Sequence, residues 1–365
     1  MTTAQEHEYS YCALPSVPPP AFPAELNHDR LAAILAHHKQ WANGTVLHYY
    51  FFDGAADGSF VRKSGGSEFV SWVGTPEQQD IVREAFQEWK SLGIGLEFRE
   101  VTSRSEAEIR IGFMRGDGLW SYLGRDVLRQ GVNARTMNLG SDISTAYGRA
   151  AVRHEIGHTL GMPHEHQNPN AGIVWDEEAV YEWFGGPPNN WPREQTFYNI
   201  IRKLDRNEVI GSDWDPLSVM HYGFGRGLII SPERYRDGIA SNLKISEADA
   251  AYVRQWYPPL DPGDATEIRP FESAPFQLRD GEQVDFTLRP GESREYKIST
   301  FGSSDVVLVL FEEIEGELRF VAGDDDSAQP RNAQIPVRLV KDRTYVVRVR
   351  LYSSWDSGRA ALMYW

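Results

Sequence analysis

The chain is 365 residues long, with 41% hydrophobic and 24% charged residues and a single cysteine. That length allows two domains, each with a full core, and the composition is that of an ordinary soluble globular protein. A formal net charge of −15 argues against a nucleic-acid partner, which would need a basic face, and no apolar run reaches the roughly eighteen residues of a membrane span.

Residues 1–40 read as a separate pro-like segment. Met1-Thr2-Thr3-Ala4-Gln5-Glu6-His7-Glu8 has neither the basic start nor the apolar core of a signal peptide. Pro15-Ser16-Val17-Pro18-Pro19-Pro20 is turn-rich, and Leu31, Ile34 and Leu35 are spaced for a short helix. A first strand is expected over 46–52, rich in β-branched and aromatic residues. Thr75-Pro76-Glu77-Gln78 predicts a capped helix with proline at its first position and a buried stripe of Ile81, Val82, Phe86 and Trp89. Further strands are expected over 95–101, 109–114 and 136–139. Trp120, Ser121, Tyr122 and Leu123 are assigned to an edge strand, whose free backbone groups can take up an extended peptide as one more strand.

The most informative stretch is His154-Glu155-Ile156-Gly157-His158-Thr159-Leu160-Gly161-Met162-Pro163-His164-Glu165. On a helix, His154 and His158 project from one face and can reach the same metal ion. Glu155 is rotated from His154 by about 100°, where it can take a proton from an attacking water without occupying the metal. Gly161 is the natural helix stop, and the turn it permits returns His164 as third ligand. Three protein ligands leave one position open, the mark of a catalytic zinc site.

Helical patterns follow at 176–184 and 192–204, and Trp175, Trp183 and Trp191 are expected in the core. Ser218-Val219-Met220-His221-Tyr222 then places a soft apolar Met220 as a floor under the imidazoles and a phenol, Tyr222, near the metal or the developing oxyanion. A closing helix is signalled by Ser246 and Asp249 as a capping box, with Val253 and Trp256 facing inward and Pro258-Pro259 ending it. From about 270 the pattern becomes one of short alternating segments, at 283–288, 293–299, 305–311, 318–322, 334–339 and 344–352. Turn signals separate them, so residues 270–365 are read as a β-sandwich. Within it, Asp324-Asp325-Asp326 is most simply a polar turn; its oxygens make calcium a candidate ligand with nothing further to support it.

The long histidine motif, the Ser-Val-Met-His-Tyr turn and Gly118-Leu119-Trp120-Ser121-Tyr122-Leu123-Gly124-Arg125 together resemble the astacin-type metzincins, over roughly residues 41–260. The C-terminal part is similar to the bacterial pre-peptidase C-terminal domain. The resemblance implies an α+β catalytic module of two subdomains, a twisted mixed sheet with the zinc helix above and an irregular half below, followed by the all-β sandwich. It implies a zinc endopeptidase acting on proteins or peptides with one catalytic zinc and no other cofactor. Tyr222 would be a switchable fifth ligand that stabilises the transition state, and Glu165 a buried anchor near the mature N-terminus.

The chain also departs from the family. Leu119 stands where animal members carry a cysteine, and His166-Gln167-Asn168-Pro169 replaces their Arg-containing continuation, which points to a cysteine-poor, bacterial-like branch. The lone Cys12 is then a candidate latency ligand, since a thiolate can hold the open metal position; Asp29 is its rival for that role. Export is expected for such an enzyme, or else a latent cytoplasmic form, and the sequence leaves the oligomeric state open. Two other readings stand beside the endopeptidase: a zinc amidohydrolase acting on a non-peptide amide, and a binding protein dominated by its C-terminal sandwich.

Overall fold

A computed structural model describes residues 11–17, 39–41, 43–63, 66–204, 213–259, 265–279, 282–325, 332–352 and 357–365. Asp29, the helical pattern at Leu31 to Leu35 and Asp326 lie outside them. The chain divides into two compact units. One comprises Met1–Trp41, Leu47–Leu92 and Phe98–Val253; the other comprises Arg254–Trp365 with the short stretches Ala42–Val46 and Gly93–Glu97.

The first unit is built on a five-stranded sheet. Its strands are β1 (Val46–Phe51), β4 (Glu97–Glu100), β5 (Ile109–Gly112), β6 (Leu119–Ser121) and β7 (Met137–Leu139), in the order β4-β1-β5-β7-β6. The pairs β1–β5 and β5–β7 are parallel, whereas β6 runs antiparallel to β7 and forms an edge. A separate hairpin, β2 (Gly58–Lys63) with β3 (Gly66–Ser71), was not expected from the sequence. It is mostly exposed, and its polar runs lack the clean alternation that a half-buried strand displays.

Helix α1 (Pro76–Lys90) forms as its cap predicts. Thr75 Oγ1 accepts from the Gln78 N–H at 3.2 Å and Gln78 Oε1 accepts from the Thr75 N–H at 2.9 Å, satisfying two donors that a helix start leaves unpaired. Ile81, Val82, Ala85, Phe86 and Trp89 are buried along one face. Helix α2 (Ala146–Thr159) starts at a Thr145 cap and packs on α1, where Trp89 donates its indole N–H to the Arg153 carbonyl at 3.1 Å. The indole of Trp41 takes up the Thr159 carbonyl at the other end of α2, at 2.8 Å.

The unit also contains the short pair β8 (Val174–Trp175) and β9 (Ile229–Ser231), with helices α3 (Glu177–Gly185) and α4 (Arg193–Thr196). Trp175 and Trp191 join Phe184, Ile200 and Phe224 in its core, with Trp183 packed against them. The expected helix over 192–204 is corrected here. Only four residues are α-helical, and the chain then widens into a single π turn, Phe197–Ile201. The carbonyls of Tyr198 and Arg202 accept from Gln167 Nε2, and that of Asn199 bonds His166 Nε2. Side chains from the loop after His164 have drawn these acceptors away from the regular ladder. The unit's last helix is α5 (Glu247–Trp256), which starts with the expected capping box: Asp249 N–H donates to Ser246 Oγ and Ser246 N–H to Asp249 Oδ2, each at 2.9 Å.

The second unit is a sandwich. One sheet has the order β10-β12-β17-β14-β15 and the other β11-β18-β13-β16. The strands are β10 (Thr266–Ile268), β11 (Ala274–Leu278), β12 (Gln283–Leu288), β13 (Arg294–Gly302), β14 (Val306–Ile314), β15 (Glu317–Asp324), β16 (Gln334–Leu339), β17 (Thr344–Leu351) and β18 (Gly358–Tyr364). Alternate residues turn inward to one core containing Phe286, Tyr296, Leu308, Val347 and Tyr364. Strands β10, β11 and β18 were missed. β18 reads Gly-Arg-Ala-Ala-Leu-Met-Tyr, a composition that favours helix, and it is extended because β11 and β13 pair with it on both sides.

Candidate metal centre

Three histidines converge because α2 ends where it does. Gly161 has φ of +96°, which only glycine adopts at little cost, and a Cβ there would stand 3.2 Å from the Lys39 carbonyl. The chain reverses and His164 comes back over the helix. Gly157 serves a different purpose. A Cβ at that position would lie 2.4 Å from Met220 Sδ, so the missing side chain lets the methionine pack under the helix, as expected of the floor of the site.

Each helical histidine is fixed through its far nitrogen. His154 Nδ1 donates to the Val219 carbonyl at 2.9 Å and His158 Nδ1 to the Met162 carbonyl at 2.8 Å, which leaves both Nε2 lone pairs facing inward. Nε2 of His158 and Nε2 of His164 are 3.1 Å apart. Two nitrogens on one tetrahedral zinc, each at 2.0–2.1 Å, would stand about 3.3 Å apart. Cys12 completes the cluster: one ligand atom from each of Cys12, His154, His158 and His164 lies within 4.8 Å of every other, and all four residues are buried. His154 Nε2 and Glu155 Oε1 are buried with no hydrogen-bond partner among the described residues. The donor set, the separations and these unpaired atoms fit a zinc ion held by three imidazoles.

Electrostatics agree. Burial holds His154 down at about 4 and keeps His158 and His164 well below the ordinary imidazole range, so all three are neutral donors at pH 7. Burial lifts the Glu155 carboxyl to about 8, and the Cys12 thiol is pushed up by burial and by Glu155, toward which it points at 3.4 Å. Tyr222 reaches the same point from below. Its hydroxyl donates to the Cys12 carbonyl at 2.7 Å and lies 2.6 Å from His164 Nε2.

The structure places His154, Glu155, His158, His164, Met220, Tyr222 and Cys12 together. The bounds of the edge strand expected over Trp120 to Leu123 are corrected. It spans Leu119–Ser121; Tyr122 still donates its N–H to the Thr136 carbonyl at 3.0 Å, but Leu123 opens a 3₁₀ turn at Gly124, whose φ is +49°. Its outer side is also occupied: Cys12 bridges Leu119 in the parallel sense and the Ala13 N–H donates to the Leu119 carbonyl at 2.9 Å. Ser121 is buried and its hydroxyl lies 3.3 Å from that of Thr159.

The supporting roles of two residues escaped the sequence reading. Asp249 accepts from Ser218 Oγ at 2.6 Å and from the Val219 N–H at 2.8 Å, so the cap of α5 also holds the methionine turn. His166 is stacked on the Tyr222 ring at 4.7 Å. The capping-box pattern pointed to Asp249 as a helix cap, though not to its partners in the methionine turn; nothing in the local sequence signals the stacking. Glu165 Oε1 accepts from the Asp215 N–H and from Asn168 Nδ2, and burial raises its carboxyl to about 7.

The model of the Astacin peptidase family matches residues 70–258, just over half of the chain, including every residue of the cluster except Cys12. The chain belongs to the astacin family. Zinc metalloproteinase nas-36 of Haemonchus contortus is 28% identical over 183 residues, which cover 48% of this chain and 27% of the nematode protein. Tolloid-like protein 2 of Mus musculus is 29% identical over 196 residues, 50% of this chain and 17% of the mouse protein. The chain thus spans less than a third of the length of these curated relatives. Among solved structures, that of myroilysin is 29% identical with a TM-score of 0.51, and the match covers 61% of this chain and 97% of myroilysin. Astacins use one catalytic zinc, and the cluster of this astacin chain fits it.

Proposed function

We propose that the chain is a zinc-dependent endopeptidase, synthesised in a latent form, that hydrolyses peptide bonds in protein substrates. The observation that carries this reading is the buried cluster of three inward-facing imidazoles with Glu155 beside it and a chain segment already lying on the edge strand. His154, His158 and His164 would hold the ion, which when bound supplies Lewis-acid polarisation of the scissile carbonyl and acidifies its water.

Glu155 acts as general base. Among the described residues its Oε1 has no hydrogen-bond partner and its other oxygen meets the Cys12 thiol, so a carboxylate freed of that thiol can hold a water, take its proton and pass it to the leaving amine. The Tyr222 hydroxyl donates to a carbonyl oxygen of the N-terminal segment. In the working enzyme it donates to the oxyanion formed on the substrate, a contribution of about 3 kcal/mol in comparable sites. The segment 11–14 enforces latency: it covers the edge, and the Cys12 thiol stands among the zinc ligands, where a bound cation would lower its pKa and make it a ligand. No helix among the described residues is long and apolar enough to cross a membrane. The same reading places the enzyme's action after export, with the Cys12-held form tolerated where it is made.

The test is hydrolysis of an unfolded protein by the purified chain, before and after limited proteolysis of the N-terminal segment, with and without a chelator. Chelator-sensitive cleavage that rises after trimming is expected, and Glu155→Gln should abolish it while zinc stays bound. Activity retained in Glu155→Gln would rule out the mechanism. Latency unchanged in uncleaved Cys12→Ala would rule out the thiol's role.

A further inference from the structure

Cys12 is not the only anchor of its segment. Tyr11 is half-buried, its ring set edge-on to Phe184 at 4.8 Å and to Tyr222 at 5.3 Å, and stacked along Phe224 at 6.4 Å. Its phenol donates to the Gly223 carbonyl at 2.9 Å, and its backbone N–H donates to Asn189 Oδ1 at 3.2 Å. The walls of this pocket belong to a cluster that includes Trp175, Val180 and Trp191 as well as Cys12 of the segment, so much of their packing is made by residues outside the segment.

The pocket adjoins the catalytic cluster, since Tyr222 forms one of its walls and also lies against His164. A peptide that replaced the segment along Leu119 would bring a side chain to its mouth. The phenol meets an acceptor, the Gly223 carbonyl, while the Asn189 amide oxygen takes the backbone N–H of the same residue. An acceptor between aromatic walls selects an aromatic ring carrying a donor, and a carboxylate brought there would lose its water opposite a like-signed partial charge. We infer that this pocket is the specificity site of the enzyme, taking a tyrosyl side chain of the substrate next to the scissile bond, and that Tyr11 occupies it in the latent form. The inference rests on the peptidase reading above.

The experiment uses the full chain carrying Tyr11→Ala and Cys12→Ala together, loaded with zinc, and a peptide library varied at each position within two residues of the cleaved bond. Tyrosine is expected to lead at one position. Its kcat/KM should exceed that of phenylalanine by about 3- to 10-fold, one hydrogen bond, and that of alanine by about 10- to 100-fold, the burial of one ring. A profile with no aromatic preference, or one led by aspartate or glutamate, overturns the inference while leaving the peptidase intact. If nothing is cleaved, the peptidase reading falls and binding decides the pocket. A peptide of residues 9–16 with Cys12→Ser should then bind the zinc-free double variant in the order Tyr11, Tyr11→Phe, Tyr11→Ala, by similar factors. Equal affinities would show that the pocket selects nothing.

Discussion

At the scale of single residues, the positions that matter most are those where a side chain is absent or a hydroxyl is held. Gly161→Ala would force an L-residue to a φ of +96° and press its methyl toward the Lys39 carbonyl. It should cost about 1–2 kcal/mol in a urea titration and lower the zinc content of the purified protein, because the turn delivers His164. Tyr222→Phe removes the hydroxyl and keeps the ring that His166 stacks on. The expected result is a fall in kcat of about 10²- to 10³-fold with little change in KM or folding, read from steady-state kinetics on the trimmed enzyme. The residues of the motif were legible in the sequence because their roles depend on helical spacing and one glycine. Cys12 was legible only as chemistry, since 143 positions separate it from the carboxylate it meets.

At the scale of elements, the cap of α5 ties the closing helix to the methionine turn. Asp249 is buried, and it serves Ser246, Ser218 and Val219 with one carboxylate. Asp249→Ala should therefore cost about 2–4 kcal/mol, more than a cap alone, and should weaken zinc binding because Val219 also supports His154. Chelator competition on the folded variant separates that second effect from simple loss of stability. Periodicity and capping residues made α1, the start of α5 and most sandwich strands readable. The shortened helix after Pro192 was not readable, since its acceptors are drawn off by His166 and Gln167, some thirty residues earlier in the chain.

At the scale of the whole molecule, the first unit buries an unusual set of neutral histidines. Burial holds His221 at about 4, against an ordinary value near 6.5, so its unfolded form binds a proton that the folded form refuses in that interval. Its contribution is complete above pH 6.5 and is lost as pH falls toward 4, on the order of 3 kcal/mol. Urea midpoints should drop steeply between pH 7 and 5, with net proton uptake on unfolding. Zinc acts in the same direction: at a free concentration 100 times its Kd it stabilises the folded state by about 2.7 kcal/mol, so a chelator should lower the thermal midpoint and make the acid transition begin at higher pH. An unchanged midpoint would mean that the cluster does not hold the metal in the folded protein.

The order of the main elements, the histidine motif and most strands of the sandwich were legible in the sequence itself, because each depends on spacing, capping or alternation within a few residues, while the α+β module was implied by the resemblance to the astacins. Tertiary structure decided that Cys12 and Ala13 lie along the edge strand, that Tyr11 packs among aromatic rings beside the histidine cluster, and that Asp249 and His166 support it. It also made a strand of 358–364, whose own residues favour a helix. Contacts between residues tens to hundreds of positions apart leave no periodic trace, since their energy exists only once the intervening chain has folded and closed them.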